Sequence, residues 1–214
     1  MPLDLTPARG LLFRITHRAN LSWLLANGLH CGNGAALDPN FVAIGNAELI
    51  GSRARRRVPI APGGTLADYV AFYFTPKSIM LLNIKTGYNG ITRRRNEDIV
   101  ILVSSCAAMR SNAVSLLFTD RHAYSRTAAW SGEEADLARM IDWDILRRHD
   151  FAQDDAYPDK KERYQAEALA YRHVPPGAVQ GIACWSAAVR ADISAQVRAA
   201  GLALEVLVRP GWYF

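Results

Sequence analysis

Residues 161–175, KERYQAEALAYRHVP, hold a carboxylate at Glu167 among alanines and aromatics. Ala166, Ala168 and Ala170 favour a helix by intrinsic propensity, and a helix would leave Glu167 on a solvated face. Read as a strand, Gln165, Glu167, Leu169 and Tyr171 share one face and the alanines occupy the other. The helix is the bland reading and places no chemistry here. The strand would aim a single carboxylate, with Gln165 beside it, at whatever that face borders.

Working outward, Leu11 to Thr16 reads as a short strand and Asn20 to Asn27 as a helix. Leu21, Leu24 and Leu25 carry the helical spacing, and Gly28 is the stop. A strand running straight into a helix leaves free backbone N–H groups at the junction, which can hold a carbonyl or phosphate or simply form a turn. A short helix fits Ala47 to Arg57, and Pro62-Gly63-Gly64 marks a loop. Val70 to Phe74 and Met80 to Ile84 are predicted strands around a turn at Pro76-Lys77. DIVILVSS, residues 98–105, is the predicted central strand, and SLLFTD contains another ending at Thr119. In residues 132–150, Leu137, Met140, Ile141 and Ile145 recur at helical spacing. Residues 181–186 and 202–214 carry strands, with a helix from Ala187 to Ala199 between them. Strands and helices do not alternate regularly, so the expected class is α+β, as one domain over residues 1–214.

At 214 residues, half of them hydrophobic, the chain can bury a core without disulfides or metals. The formal charge of +5 is unevenly spread. Arg53, Arg55, Arg56 and Arg57 form one cluster and Arg93, Arg94 and Arg95 another. A planar guanidinium suits phosphate, although solvated loop charge explains such runs equally well. Cys31, Cys106 and Cys184 are odd in number and far apart, which fits a reducing cytoplasm. No secretory leader is legible in MPLDLTPARG, and the apolar runs are too short to cross a bilayer. No P-loop, GxGxxG, HExxH, CxxC or GxSxG pattern occurs, and the scattered histidines give no reason to expect a metal.

Five segments in order carry a more specific signal: FRITHRANL (13–21), PGGTLADYVAFYFTPKSIML (62–81), LFTDRHA (117–123), QAE (165–167) followed by Val174-Pro175, and VRPGWYF (208–214). In this arrangement the chain resembles the DarT family, toxins that transfer ADP-ribose from NAD⁺ to a base of single-stranded DNA. The resemblance implies a central split β-sheet flanked by helices, with the segment at Glu167 a strand edge facing an NAD⁺ cleft.

It also implies site residues. Glu167 would stabilise the oxocarbenium-like ribose. Arg53, five residues before Val58-Pro59, would bind the NAD⁺ phosphates and orient the base. NAD⁺ would be held by Arg14, Ile15, Thr16, His17, Asn20, Trp23, Arg53 and Gln165, with Arg14 standing where the family often has histidine. DNA would lie along Lys77, Ser78, Ile79, Met80, Leu81 and Leu82, with Arg93 and Arg94 added from the second arginine cluster. Tyr69, Phe72, Tyr73 and Phe74 either stack on bases or face the core, and residues 120 to 160 form a substrate-reading loop with its own helix. Members acting on thymidine tend to carry a GGQ-like stretch before the central strand. KTGYNGITRRRNEDIV, residues 85–100, has none, which favours guanine. The implied partner is an antitoxin that hydrolyses ADP-ribose from DNA. Transfer to RNA or protein, and non-catalytic nucleic-acid binding by the arginine clusters, are the alternative functions.

Overall fold

A computed structural model describes residues 3–214; Met1 and Pro2, which the single domain expected over 1–214 would include, lie outside the described residues. The chain opens with β1 (Leu11–His17), α1 (Leu21–Asn27), β2 (Leu29–His30) and α2 (Ala47–Arg55). There follow β3 (Tyr69–Tyr73), α3 (Ile79–Thr86), β4 (Ile99–Ser105), α4 (Cys106–Ser111), β5 (Leu116–Thr119) and β6 (Trp130–Ser131). The short helices α5 (Leu137–Met140), α6 (Trp143–Arg148) and α7 (Lys160–Arg163) lead into β7 (Glu167–Tyr171) and β8 (His173–Val174). The chain closes through β9 (Gly181–Cys184), α8 (Ala187–Ala199) and β10 (Glu205–Val208).

Eight strands form one sheet in the order β10-β9-β4-β1-β3-β7-β5-β6, so the class is α+β. β4 is buried along most of its length and is flanked by β1 and β9, the central position its β-branched run suits. The sheet parts in the middle. β1 pairs with β4 from Leu11↔Ser105 through His17↔Ile99, yet meets β3 only at Phe13↔Tyr73. Across the parting, Arg14 Nη1 donates to the Ala71 carbonyl at 2.7 Å, so a side chain satisfies an acceptor that a ladder N–H would otherwise take.

β7 runs antiparallel between β3 and β5, and its alternation sorts the two cores. Ala168 and Ala170 join Phe72 and Phe118 in the main hydrophobic cluster. Leu169 faces the other way, with Leu117, Tyr69, Val58, Leu66 and Ala123 in a smaller cluster. Glu167 lies two residues along the strand from Leu169 and so belongs to that second face. The strand wins over helical propensity because β7 is paired on both edges while buried on both sides, and the Thr119 hydroxyl takes the Glu167 N–H.

Three expectations need correction. Met80 to Ile84 is not a strand but part of α3. Ser78 caps it by accepting the Leu81 N–H, and Gly87 ends it in the left-handed region at φ +74°. A short apolar run carries no period decisive enough to separate the two forms. The helix expected within residues 132–150 breaks at Ile141 and Asp142, where Asp142 starts a new cap for α6 and the Trp143 indole donates to the Leu137 carbonyl at 2.9 Å. Gln165 is not on the strand: β7 begins at Glu167, and the Gln165 amide donates to the Lys161 carbonyl of α7.

Candidate active site

Register brings the polar groups together. Glu167 pairs with Tyr73 of β3 on one side and Thr119 of β5 on the other, so their side chains project from the same face. The Glu167 N–H donates to Thr119 Oγ1 at 3.3 Å, and that hydroxyl donates to the Arg121 carbonyl at 2.7 Å. This pins the loop leaving β5 across the start of β7.

The Glu167 side chain is 2 % exposed and its oxygens are answered by protein donors. Ala123 N–H reaches Oε2 at 2.9 Å, and Arg53 Nη1 lies 3.1 Å from both oxygens. Burial pushes the acid's pKa up, but the Arg53 charge and the Ala123 N–H outweigh it and hold the group below the ordinary carboxylate range. Glu167 is therefore an ionised, fixed carboxylate. Without Arg53 it would be a buried charge lacking its counter-ion, which costs about 3–5 kcal/mol.

Arg53 arrives on the last turn of α2, whose Asn46 cap accepts the Leu49 N–H at 2.8 Å. Basic residues suit that end of a helix. Among the four clustered arginines, Arg53 is the one that meets Glu167, while Arg56 turns to the Ser125 carbonyl at 3.3 Å. Chain geometry after the helix fixes this choice: Val58 N–H bonds the Gly64 carbonyl and Leu66 N–H the Arg56 carbonyl.

His122 completes the corner. Its Nε2 lies 3.4 Å from Arg53 Nη1, and its Nδ1 is 3.2 Å from the Tyr124 N–H. Each ring nitrogen thus faces a donor, so a neutral imidazole satisfies one and an imidazolium satisfies neither. Burial, with the Arg53 charge adding to it, lowers the His122 pKa. Tyr73 has its phenol pKa raised by burial and by the Glu167 charge. The Arg14 guanidinium, its pKa lowered by burial, feels the charges of Tyr73, Arg53 and Glu167, and its Nε is buried without an acceptor.

The remaining predicted residues divide sharply. Ile15 and Thr16 are buried on β1. Asn20 is wholly buried and engaged, donating to Thr16 Oγ1 and the Val42 carbonyl and accepting the Val42 N–H. His17 caps the turn after β1 by accepting the Ala19 N–H, and Trp23 packs edge-on against His30. None of these five touches the carboxylate, and neither does Gln165. In the expected DNA segment Ser78, Ile79 and Leu81 are buried, which leaves Lys77, Met80 and Leu82 with exposed surface. Of the aromatics expected either to stack on bases or to face the core, Tyr69, Phe72 and Phe74 are buried, and Tyr73 is mostly buried on the Glu167 face. Arg93 and Arg94 lie elsewhere, before β4.

Thr119, His122 and the Ala123 N–H were missed in the sequence, and Tyr73 was read only as a base-stacking or core aromatic. The first three lie inside LFTDRHA, but only the β5–β7 pairing brings that stretch to Glu167. Among the described residues no group of three or more His, Cys, Asp or Glu side chains is placed to hold a metal, and no helix is long and apolar enough to cross a membrane.

The chain is similar to known proteins along nearly its whole length. The family model described as "ssDNA thymidine ADP-ribosyltransferase, DarT" matches residues 13–214. A DNA ADP-ribosyl transferase of Escherichia coli O127:H6 is 48% identical over 213 residues, covering 99% of this chain and 96% of that protein. One from Thermus sp. (strain 2.9) is 32% identical over 207 residues, 95% of each. Among solved structures, Thermus sp. 2.9 DarT in complex with ADP-ribosylated ssDNA superposes with a TM-score of 0.89 at 30% identity and covers 100% of both chains. The same protein in complex with NAD⁺ gives 0.80 at 30% identity, over 96% of this chain and 98% of that one.

Proposed function

The chain belongs to the DarT family, and we propose from that premise that it transfers ADP-ribose from NAD⁺ to a base of single-stranded DNA through the Glu167 corner. The carrying observation is a buried carboxylate held ionised by Arg53 and Ala123. In the reaction the bond from ribose C1′ to the nicotinamide nitrogen breaks and its electron pair leaves with neutral nicotinamide. A bond from C1′ to a ring nitrogen of the base forms, and that nitrogen loses its proton. Positive charge peaks on the ribose between these events. A carboxylate already desolvated and fixed stabilises that charge without reorganising, the effect that usually dominates catalysis.

Arg53 has a double role in this reading. Nη1 restrains Glu167, while Nε and Nη2 have no protein partner among the described residues and are left for the NAD⁺ phosphates and the base. An arginine stays charged near neutrality and is a poor proton acceptor. His122, kept neutral beside it, is the better-suited group to receive the proton from the base. Arg14, with its unpaired Nε at the parting of the sheet, is the NAD⁺ contact we assign on β1. Ile15, Thr16, His17, Asn20 and Trp23 shape that strand's exit, and Gln165, two residues before Glu167, completes the proposed NAD⁺ set. Lys77, Met80 and Leu82 offer the DNA surface of α3.

We assign thymine as the acceptor, because the matched family description names thymidine. The guanine expectation rested on a missing GGQ-like stretch alone. A hydrolase that removes ADP-ribose from DNA is the partner this reading implies, and the three unpaired, buried cysteines suit the cytoplasm. The test is mass spectrometry of single-stranded oligonucleotides incubated with NAD⁺. A gain of one ADP-ribose is expected on thymidine-containing acceptors. Modification of guanosine-only acceptors alone would overturn the base, and modification of protein or RNA with DNA untouched would overturn the substrate class.

A further inference from the structure

Away from the Glu167 corner, a surface groove of about 330 Å³ is lined by Lys85, Arg93, Arg94, Arg95, Asn96, Glu97 and Trp185. It shares no residue with the corner. Four cations face one acid on its lining, and their pairing is unequal. Arg95 is matched by Asp98 at 3.3 Å, whereas Lys85, Arg93 and Arg94 have no carboxylate within salt-bridge reach among the described residues. Arg94 is half-buried, and its Nε is enclosed without any acceptor. A buried donor left unsatisfied is costly, and proteins retain such groups where something else supplies the acceptor.

The groove is also built rather than floppy. Arg93 Nε donates at 2.9 Å to the Thr86 carbonyl, one of the free carbonyls ending α3. Trp185 is set edge-on against Tyr213 with ring centroids 5.6 Å apart, and the Tyr213 hydroxyl reaches the Ile99 and Ala183 carbonyls. The half-buried indole therefore presents a fixed apolar surface next to unpaired guanidiniums. His17 pairs with Ile99, just beyond the Arg93–Glu97 stretch, which places the groove beside the exit of β1.

Free cations spaced along a groove and an anchored aromatic together match a single-stranded nucleic acid, which offers phosphates and unpaired base faces at once. We propose that this groove is a second DNA subsite, in which Arg93 and Arg94 take backbone phosphates flanking the modified nucleotide and Trp185 stacks a neighbouring base. The assignment rests on the DNA reading above and extends it from the reacting base to the length of strand that the protein grips.

Binding without catalysis tests it. Fluorescence anisotropy is measured without NAD⁺, using labelled oligothymidylates of about 5 and about 20 nucleotides, at the short end of the usual single-strand site sizes and beyond their long end. For Arg93→Gln/Arg94→Gln, affinity for the long strand should fall about 10-fold. The slope of log K against log salt should shrink by about 1.4, at about 0.7 per phosphate lost. The short strand should change less than about 2-fold, because the Glu167 end of the path accounts for it. Trp185→Ala should weaken the long strand by about 10-fold, within the range for one base stacked on an aromatic. Trp185→Phe, which keeps a ring against Tyr213, should recover part of that loss, and the arginine pair decides the matter if Trp185→Ala fails to fold. Unchanged long-strand binding, or equal losses for both lengths, overturns the subsite. So does weaker NAD⁺ binding with DNA affinity intact, which would make the groove a cofactor phosphate site. Loss of long-strand binding in a protein that modifies no base would leave the subsite standing and sink the transferase reading.

Discussion

The Glu167 corner and the Arg93–Trp185 groove treat charge in opposite ways. In the corner the central charge is answered from within, carboxylate by guanidinium and backbone N–H, beside a neutral imidazole that faces two donors. In the groove, Lys85, Arg93 and Arg94 are left without an acid. The first arrangement makes geometry. A desolvated charge is tolerable only in one arrangement, so the network holds Glu167 where the ribose will be. The second makes affinity, because unpaired surface cations attract an external polyanion and contribute little to the fold. Perturbing the corner should therefore change stability and chemistry together, and perturbing the groove should change binding alone.

The largest effect that separates the regions is Arg53→Ala. Removing the counter-ion of a buried carboxylate should destabilise the fold by about 3 kcal/mol, read as a lower urea midpoint. Combining it with Glu167→Gln should recover much of that loss, since no buried charge then remains. Equal midpoints for Arg53→Ala and wild type would show that the corner is solvated and does not impose geometry.

A smaller effect comes from pH. Folded His122 takes a proton less readily than the unfolded chain, so stability should fall as pH drops below about 6.5, the ordinary histidine value. Glu167 acts lower on the scale. Its contribution is complete above the ordinary glutamate value of about 4.3 and is lost as pH falls through its depressed folded value. Urea midpoints between about pH 8 and pH 5 should therefore slope more gently in His122→Gln than in wild type. Identical slopes would remove His122 from the buried network.

The smallest expected change is Arg94→Gln, which should leave the unfolding free energy from urea titration within about 0.5 kcal/mol of wild type. A drop as large as that of Arg53→Ala would mean that the groove, too, is structural.

Much of this contrast was legible before the fold, though unevenly. Helix Ala187–Ala199 and the strand starting at Leu11 follow their apolar periods, because local pattern and burial agree there. Glu167 was not decidable from its neighbours: alanines favour helix, and only pairing with Tyr73 and Thr119 turns the segment into a strand. The resemblance carried by the five motifs supplied what propensity could not. Arg53 was one of four adjacent arginines, and the turn after α2 is what selects it. His122 gave no spacing signal at all, since Arg53, the side chain it meets, lies 69 residues away. Asn20, by contrast, looked available in the sequence and proved to be an internal clamp between β1 and Val42. Residue type announces chemistry, but tertiary pairing decides whether a polar group is spent on the fold or kept for a ligand.

The most direct measurement is single-turnover transfer from NAD⁺ to a thymidine-containing single strand by wild type and Glu167→Gln, with NAD⁺ affinity measured alongside. A neutral isostere should lower the rate about 10²–10³-fold, the cost of one preorganised electrostatic group, while NAD⁺ still binds. Transfer by Glu167→Gln within a few-fold of wild type would contradict the account.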